Sequence, residues 1–302
     1  MTGVPIVGFV GIGNMGWPMA ASLVRAGYAV QVADNRRVQA DNFVQQVGGF
    51  AAESLGALAA ACDVVITMLP TSANVAEVVA DGGDTLLAGL KPGSLVIDMT
   101  SGQPTVTRAL AEKVAAAGSV MIDAPVSGGV SRAKTGELAI MVGGDADAIA
   151  RARPVLSAIG TSILPCGGVG AGQAMKALNN LVSGGGFLIA IEALLIGQKF
   201  GLDPGLMTDV LNVSTGMNNA TQKKLRQFVL SRGFDSGFSL DLMVKDLSIA
   251  TGIGKEIGVP APFAALCREM WASAASALGP GQDHTAVAKL SEMLAGFELG
   301  AE

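Results

Sequence analysis

The chain has 302 residues, half of them hydrophobic and 15% charged, which allows a large core and excludes extended disorder. Its net charge of −5, with no basic stripe and no basic–aromatic interleaving, argues against nucleic-acid binding. Aromatic residues make up only 4%, a composition suited to helices packed on a parallel sheet.

The first predicted strand is 6–10. It runs into Gly11-Ile12-Gly13-Asn14-Met15-Gly16, a helical pattern to 26, and a second apolar run at 29–33 that ends on Asp34. Strand, glycine turn, helix and acid-tipped strand are the parts of a dinucleotide site. Gly11 permits a tight turn, Gly13 lets the backbone approach a pyrophosphate, and Gly16 lets the helix lie close on the strand. Free N–H groups at the helix start face the phosphates, and Asp34 is placed to accept ribose hydroxyls. Asn35, Arg36 and Arg37 follow. Asp34 repels a 2′-phosphate and favours NAD, while the two arginines could embrace one and keep NADP open.

The apolar run at 64–68 has the continuity of a central parallel strand and breaks at Met68-Leu69-Pro70. A strand at 95–98 follows, with Thr100 and Ser101 at its carboxyl end and Pro104 opening a helix to 117. Strands at 120–123, 137–142 and 162–164, with a helix at 145–158, complete the alternation of a doubly wound Rossmann-type sheet. Beyond it the pattern is helical throughout. One long helix starts near Gly170 and reaches about 200. Gly201-Leu202-Asp203-Pro204 then ends one helix and caps the next. The expected domains are 1–164, dinucleotide-binding, and 165–302, helical.

The cysteines, Cys62, Cys166 and Cys267, form no C-x-x-C pair, which fits a reducing, cytoplasmic location. A single histidine, His284, excludes a site of several His ligands, so no metal is expected. No cationic region precedes the first apolar run, so no signal peptide is expected. Residues 177–191 lack charge but include Asn179, Asn180 and Ser183, which fits a buried core helix better than a membrane span.

Ligands of an open α/β sheet gather at the carboxyl ends of its strands. Thr100 and Ser101 lie there, either touching nicotinamide or substrate or capping the next helix. Asp123-Ala124-Pro125-Val126-Ser127-Gly128-Gly129 lies there too, where backbone N–H groups after a serine and two glycines either suit a carboxylate or form an ordinary glycine-rich turn. In Gly170-x-Gly172-x-x-x-Lys176-x-x-x-Asn180, the lysine and asparagine share one helix face. Partial burial there favours the neutral amine that a proton-transfer lysine needs; the alternative is a lysine reaching out to water.

Together these motifs resemble the β-hydroxyacid dehydrogenase family, the group of 3-hydroxyisobutyrate dehydrogenase and tartronate semialdehyde (2-hydroxy-3-oxopropionate) reductase. The resemblance covers nearly the whole chain, from Gly8-Phe9-Val10-Gly11 to Lys245-Asp246-Leu247. It implies an NAD(P)-dependent 3-hydroxyacid dehydrogenase or semialdehyde reductase, with Lys176 as general acid/base and Asn180 on the substrate. Ser127, Gly128 and Gly129 would hold the substrate carboxylate, and Lys245 would line the cofactor cleft. The resemblance also implies a homodimer or homotetramer. Decarboxylating 6-phosphogluconate dehydrogenases place His and Glu three and seven residues after the lysine. Asn179 and Ser183 stand there instead. Related imine reductases usually lack the lysine, and so do catalytically dead relatives that serve as nucleotide-binding oligomerisation modules.

Polar side chains at 214–221 either read substrate hydroxyls, favouring glyceric or sugar acids such as threonate, or form a helix-capping turn. Gly184-Gly185-Gly186 inside a predicted helix calls for close helix packing, within the chain or between subunits.

Overall fold

The structure is a computed structural model that describes residues 4–300. It forms two compact units that part between Lys176 and Ala177.

The first unit alternates strands and helices. In order these are β1 (Val7–Val10), α1 (Gly16–Arg25), β2 (Val30–Ala33), α2 (Arg37–Gln46), β3 (Phe50–Ala51), α3 (Leu55–Ala61), β4 (Val64–Thr67) and α4 (Ser72–Ala76). Then follow β5 (Leu95–Asp98), α5 (Pro104–Ala116), β6 (Val120–Asp123), β7 (Val126–Ser127), α6 (Gly129–Thr135), β8 (Leu138–Gly143), α7 (Ala146–Ser157) and β9 (Gly160–Gly167). The strands make one sheet ordered β3-β2-β1-β4-β5-β6-β8-β7, with β9 on β8. Pairing is parallel from β3 to β6. β8 then runs antiparallel to β6 and β7, and β9 parallel to β8. The Rossmann-type expectation therefore holds, with a reversed segment added at one side. β3 and β7, of two residues each, are too short to leave a periodic signal.

Both sheet faces are covered, so strands read as unbroken apolar runs. Phe9, Ile66, Ile97 and Ile122 enter one core, while Val65, Val96 and Met121 enter the other. Chain order reverses between β1 and β4, which opens the crevice at their carboxyl ends. Register puts Val10, Thr67, Asp98 and Asp123 in one row along that edge.

The helix α8 (Ala171–Phe200) is continuous across the boundary. By length and composition it could cross a membrane, but more than half of its apolar window is packed inside the fold, as in a core helix. The second unit continues with α9 (Pro204–Asn212), α10 (Asn219–Lys223), α11 (Leu240–Glu256), α12 (Pro262–Leu278) and α13 (Val287–Ala295). As expected, Gly201 has φ +105°, Asp203 caps α9 by accepting from the Leu206 N–H at 2.6 Å, and Pro204 opens it.

Side chains within this unit pack closely on the glycine triplet. A Cβ on Gly184 would lie 3.3 Å from Trp271 Nε1, on Gly185 3.3 Å from Phe263 Cε1, and on Gly186 3.4 Å from Asn218 Nδ2. The indole N–H of Trp271 and the amide of Asn218 also donate to the carbonyls of Gly184 and Gly186.

Candidate active site

The glycine turn begins where β1 ends. Gly11 has φ +97°, and a Cβ there would collide with the Met68 carbonyl oxygen; one on Gly16 would collide with that of Gly11. Gly13 differs. Among the described residues no atom lies within 4 Å of its hypothetical Cβ, so packing does not demand glycine there. The space suits a group brought to the backbone from outside, as a pyrophosphate would be. Among the described residues no side chain caps the start of α1, which leaves its first amides without a side-chain acceptor there.

Asp34 closes the turn. Its two oxygens accept the N–H groups of Ile12, at 2.8 Å, and Arg36, at 3.0 Å, and Gln39 Nε2 donates to the Ile12 carbonyl at 2.9 Å. The acid therefore stands fixed at the tip of β2 with lone pairs to spare. Arg37 is drawn away, donating to Asp41 and to the Ala52 carbonyl. The Arg36 side chain is exposed and lies 3.7 Å from Asp34, and Asn35 is exposed.

The neighbouring turn, Met68-Leu69-Pro70, is held by Thr100. This residue is fully buried, and its hydroxyl accepts the Leu69 N–H at 3.0 Å while its own N–H donates to Asp98 at 3.0 Å. Ser101 follows it, half-buried, on the same edge. The start of α5 is bonded instead by Ser72, whose hydroxyl accepts the Gln103 N–H at 2.7 Å.

Two buried acids sit behind this edge. Asp98 accepts from Thr67 Oγ1 at 2.9 Å and from Gln173 Nε2 at 2.9 Å. Asp123 accepts the Gly170 N–H at 2.6 Å on one oxygen and the Gln173 N–H at 2.7 Å on the other. Gln173 Oε1 accepts from Thr107 at 2.7 Å. Burial pushes both carboxyls up to about 6, against the hydrogen bonds that pull them down. For Asp123 the nearby charge of Asp98 adds to the rise. Every oxygen of the pair faces donors, so both acids are ionised at neutral pH.

Ser127, Gly128 and Gly129 form a corner between β7 and α6. The glycines have φ of +132° and +66°, and Gly129 is exposed. Lys176 is half-buried in the second turn of α8.

In the second unit, Asn180 is buried and donates to Asp246 at 2.6 Å, while Lys245 Nζ lies 3.5 Å from the other oxygen of Asp246. Asp246 is a partner that residue spacing did not single out. The 214–221 stretch is a capping turn: Asn218 accepts the N–H groups of Ala220 and Thr221, and the Thr221 hydroxyl accepts that of Asn218. Those two side chains are committed to the start of α10, whereas Ser214, Thr215 and Asn219 are exposed.

Two family profiles match the chain. The NAD binding domain of 6-phosphogluconate dehydrogenase matches residues 6–168. The NAD-binding domain of NADP-dependent 3-hydroxyisobutyrate dehydrogenase matches residues 170–291. The 2-(hydroxymethyl)glutarate dehydrogenase of Eubacterium barkeri is 38% identical over 294 residues, 97% of each chain. The 3-hydroxyisobutyrate dehydrogenase of Pseudomonas aeruginosa is 38% identical over 292 residues, 94% of this chain and 97% of that one. Among solved structures, Mycobacterium tuberculosis 3-hydroxyisobutyrate dehydrogenase with L-serine superposes with a TM-score of 0.87 at 35% identity, covering 95% of this chain and 99% of that one.

Proposed function

Because the chain belongs to the β-hydroxyacid dehydrogenase family, an NAD(P)-dependent oxidoreductase acting on CH–OH groups, we propose that it interconverts a small 3-hydroxy acid and its semialdehyde with Lys176 as general acid/base. The bound nicotinamide supplies the hydride chemistry. The chain's own task is to hold the carbinol and move its proton. In oxidation a neutral Lys176 takes the hydroxyl proton as hydride leaves the same carbon, and in reduction the ammonium returns it. The observation that carries this reading is a half-buried lysine in the second turn of a helix whose start is bonded to the tip of β6, on the edge that bears the glycine turn.

In this reading Ser127, Gly128 and Gly129 receive the substrate carboxylate through backbone N–H groups, with Thr100 and Ser101 flanking it. Asn180 hydrogen-bonds the substrate one helical turn beyond the lysine, and Lys245 serves the cofactor. Both relatives are named for acids with a hydroxymethyl group on the carbon next to a carboxylate. A 3-hydroxypropanoate with a carbon substituent at C2 is the substrate class that follows, ahead of glyceric, tartronic or sugar acids, whose C2 carries a hydroxyl. NAD is the preferred dinucleotide, because Asp34 is pinned at the β2 tip and Arg37 is turned away from it.

The reading further includes a cytoplasmic enzyme and a homodimer or homotetramer. Val182, Ile189 and Ile196 leave an exposed apolar stripe along α8 that suits a subunit contact. An initial-rate screen of 3-hydroxyisobutyrate, 2-(hydroxymethyl)glutarate, serine, glycerate and threonate, with NAD and NADP in parallel, tests the assignment. Turnover of 3-hydroxyisobutyrate or 2-(hydroxymethyl)glutarate with NAD is expected. A preference for threonate, or for NADP by tenfold or more, would overturn the corresponding part.

A further inference from the structure

We propose that Asp123 is a positioning residue for Lys176: its carboxylate caps the helix that carries the lysine, and Gln173 couples that cap to Asp98 and so to the cofactor turn. The proposal rests on the role given to Lys176 above and adds residues whose function no motif conveys.

Helix caps are ordinarily local, supplied by the residue just before the first turn. Here that neighbourhood has no side chain to offer, since Gly170 precedes α8 at φ +89°. The cap comes instead from the end of β6, far back in the chain, and uses both carboxylate oxygens. Amides of residues 170 and 173 lie on one side of the helix, so two bonds to one rigid carboxylate set its rotation as well as its height. Residue 176 is just under one further turn along, about 4.5 Å of rise from residue 173.

Packing leaves this arrangement little freedom. A Cβ on Gly172 would run into the Met141 carbonyl oxygen and lie 2.9 Å from Asp123 Oδ2. A Cβ on Gly143 would collide with Asp123 Oδ1 and lie 2.9 Å from the Ala171 nitrogen. Backbone meets backbone on both sides of the carboxylate.

The network also reaches the cofactor side. The Leu69 N–H donates to Thr100, the Thr100 N–H donates to Asp98, and Asp98 accepts from Gln173, whose own N–H donates to Asp123. The turn assigned to the dinucleotide and the helix start assigned to proton transfer thus hang from one chain of buried hydrogen bonds. Such a chain keeps donor and acceptor of proton and hydride at a constant separation. The charge of Asp123 also offsets the positive end of the helix dipole beside the lysine.

The test uses the full chain with Asp123→Asn, Gln173→Leu and Lys176→Ala, and the acid turned over fastest in the screen above. Readouts are kcat, KM, cofactor affinity by fluorescence, melting temperature and the pH profile of kcat for oxidation. Asparagine can satisfy only one of the two N–H groups, so D123N should lose about 100-fold in kcat. Its KM and cofactor affinity should hold, and its acidic limb should move to lower pH because a negative charge near the lysine is gone. Q173L leaves the backbone cap while cutting the coupling to Asp98 and releasing the Thr107 hydroxyl, so about a tenfold loss in kcat is expected even if D123N does not fold. Wild-type kcat and an unmoved limb in a folded variant would overturn the proposal, as would kcat, KM and cofactor affinity all failing in step with melting temperature. Full activity of K176A removes the lysine's role and this proposal with it. An inactive K176A beside an unaffected D123N and Q173L removes this proposal alone.

Discussion

The two units bury polar groups in different surroundings. In the first, the buried charges are anions, Asp98 and Asp123, met by hydroxyl, amide and backbone donors at strand tips. In the second, Asp246 and Glu292 are buried too, but a histidine sits at the aromatic centre. Lys224 Nζ lies 2.6 Å from His284 Nε2, so that nitrogen accepts and the ring is neutral, with Nδ1 toward the Phe238 carbonyl at 3.2 Å. Trp271 stacks on the ring at 6.3 Å and Phe238 meets it edge-on at 5.4 Å. Polar groups at strand tips can be read by a ligand; polar groups walled by aromatic rings lock helices together. Burial of a charge alone therefore does not mark a site; in the first unit its place at the strand tips adds the second mark.

The largest expected effect separates chemistry from scaffold. Lys176→Ala should reduce kcat by about 100- to 10,000-fold while cofactor affinity, measured by fluorescence titration, stays unchanged. Lys224→Met, which removes the charge beside His284, should change melting temperature but alter kcat by less than about threefold. A K224M enzyme as impaired as K176A, with an unchanged melting temperature, would break the contrast.

Glycine substitutions sharpen it next. At Gly172 the new methyl meets backbone carbonyl and carboxylate, which cannot yield, so Gly172→Ala should cost about 1–3 kcal/mol of unfolding free energy and lower kcat as well. At Gly185 it meets the edge of the exposed Phe263 ring at 3.3 Å, which can swing aside. Helix propensity then favours alanine by roughly 1 kcal/mol, so Gly185→Ala should be neutral or stabilising. Urea unfolding of the two variants decides the matter, and equal losses would show that the second unit is packed as rigidly as the first.

How much was legible follows from range along the chain. The central strands were readable because each is buried on both faces: the expected 95–98 and 120–123 are β5 and β6 to the residue. The glycine turn was readable because its constraints are local. What escaped was polar and non-local. Gln173 looked like one more residue on an apolar helix, and nothing near it announces Asp98 or Asp123. One signal was present, since both acids end an apolar run with the same Ile-Asp pair, and register puts them side by side. Asp246 escaped for the same reason, its partner Asn180 being on another helix. The 214–221 turn had two readings because hydroxyls that cap a helix and hydroxyls that bind substrate look alike until their partners are seen.

The smallest expected effect is on pH dependence, and the two regions should respond with opposite sign. Burial, with the charge of Lys224, lowers His284 from its usual value near 6.5, although Asp283 pulls the other way. A base held down in the fold takes up its proton more readily when unfolded, so its contribution is complete above pH 6.5 and is lost on acidification. Asp98 and Asp123 are carboxyls raised from 3.8 to about 6. Their contribution is greatest below pH 4 and disappears as pH rises through about 6. Between pH 6.5 and 4, hydrogen exchange corrected for intrinsic rates should therefore show protection falling around α11 and α12 while it rises around β5 and β6. Glutamine at position 284 can still accept from Lys224 but does not titrate, so His284→Gln should flatten the first response and leave the second. Protection that falls in both regions together, or a loss around α12 that survives H284Q, would mean that the buried histidine does not set the acid sensitivity of its unit.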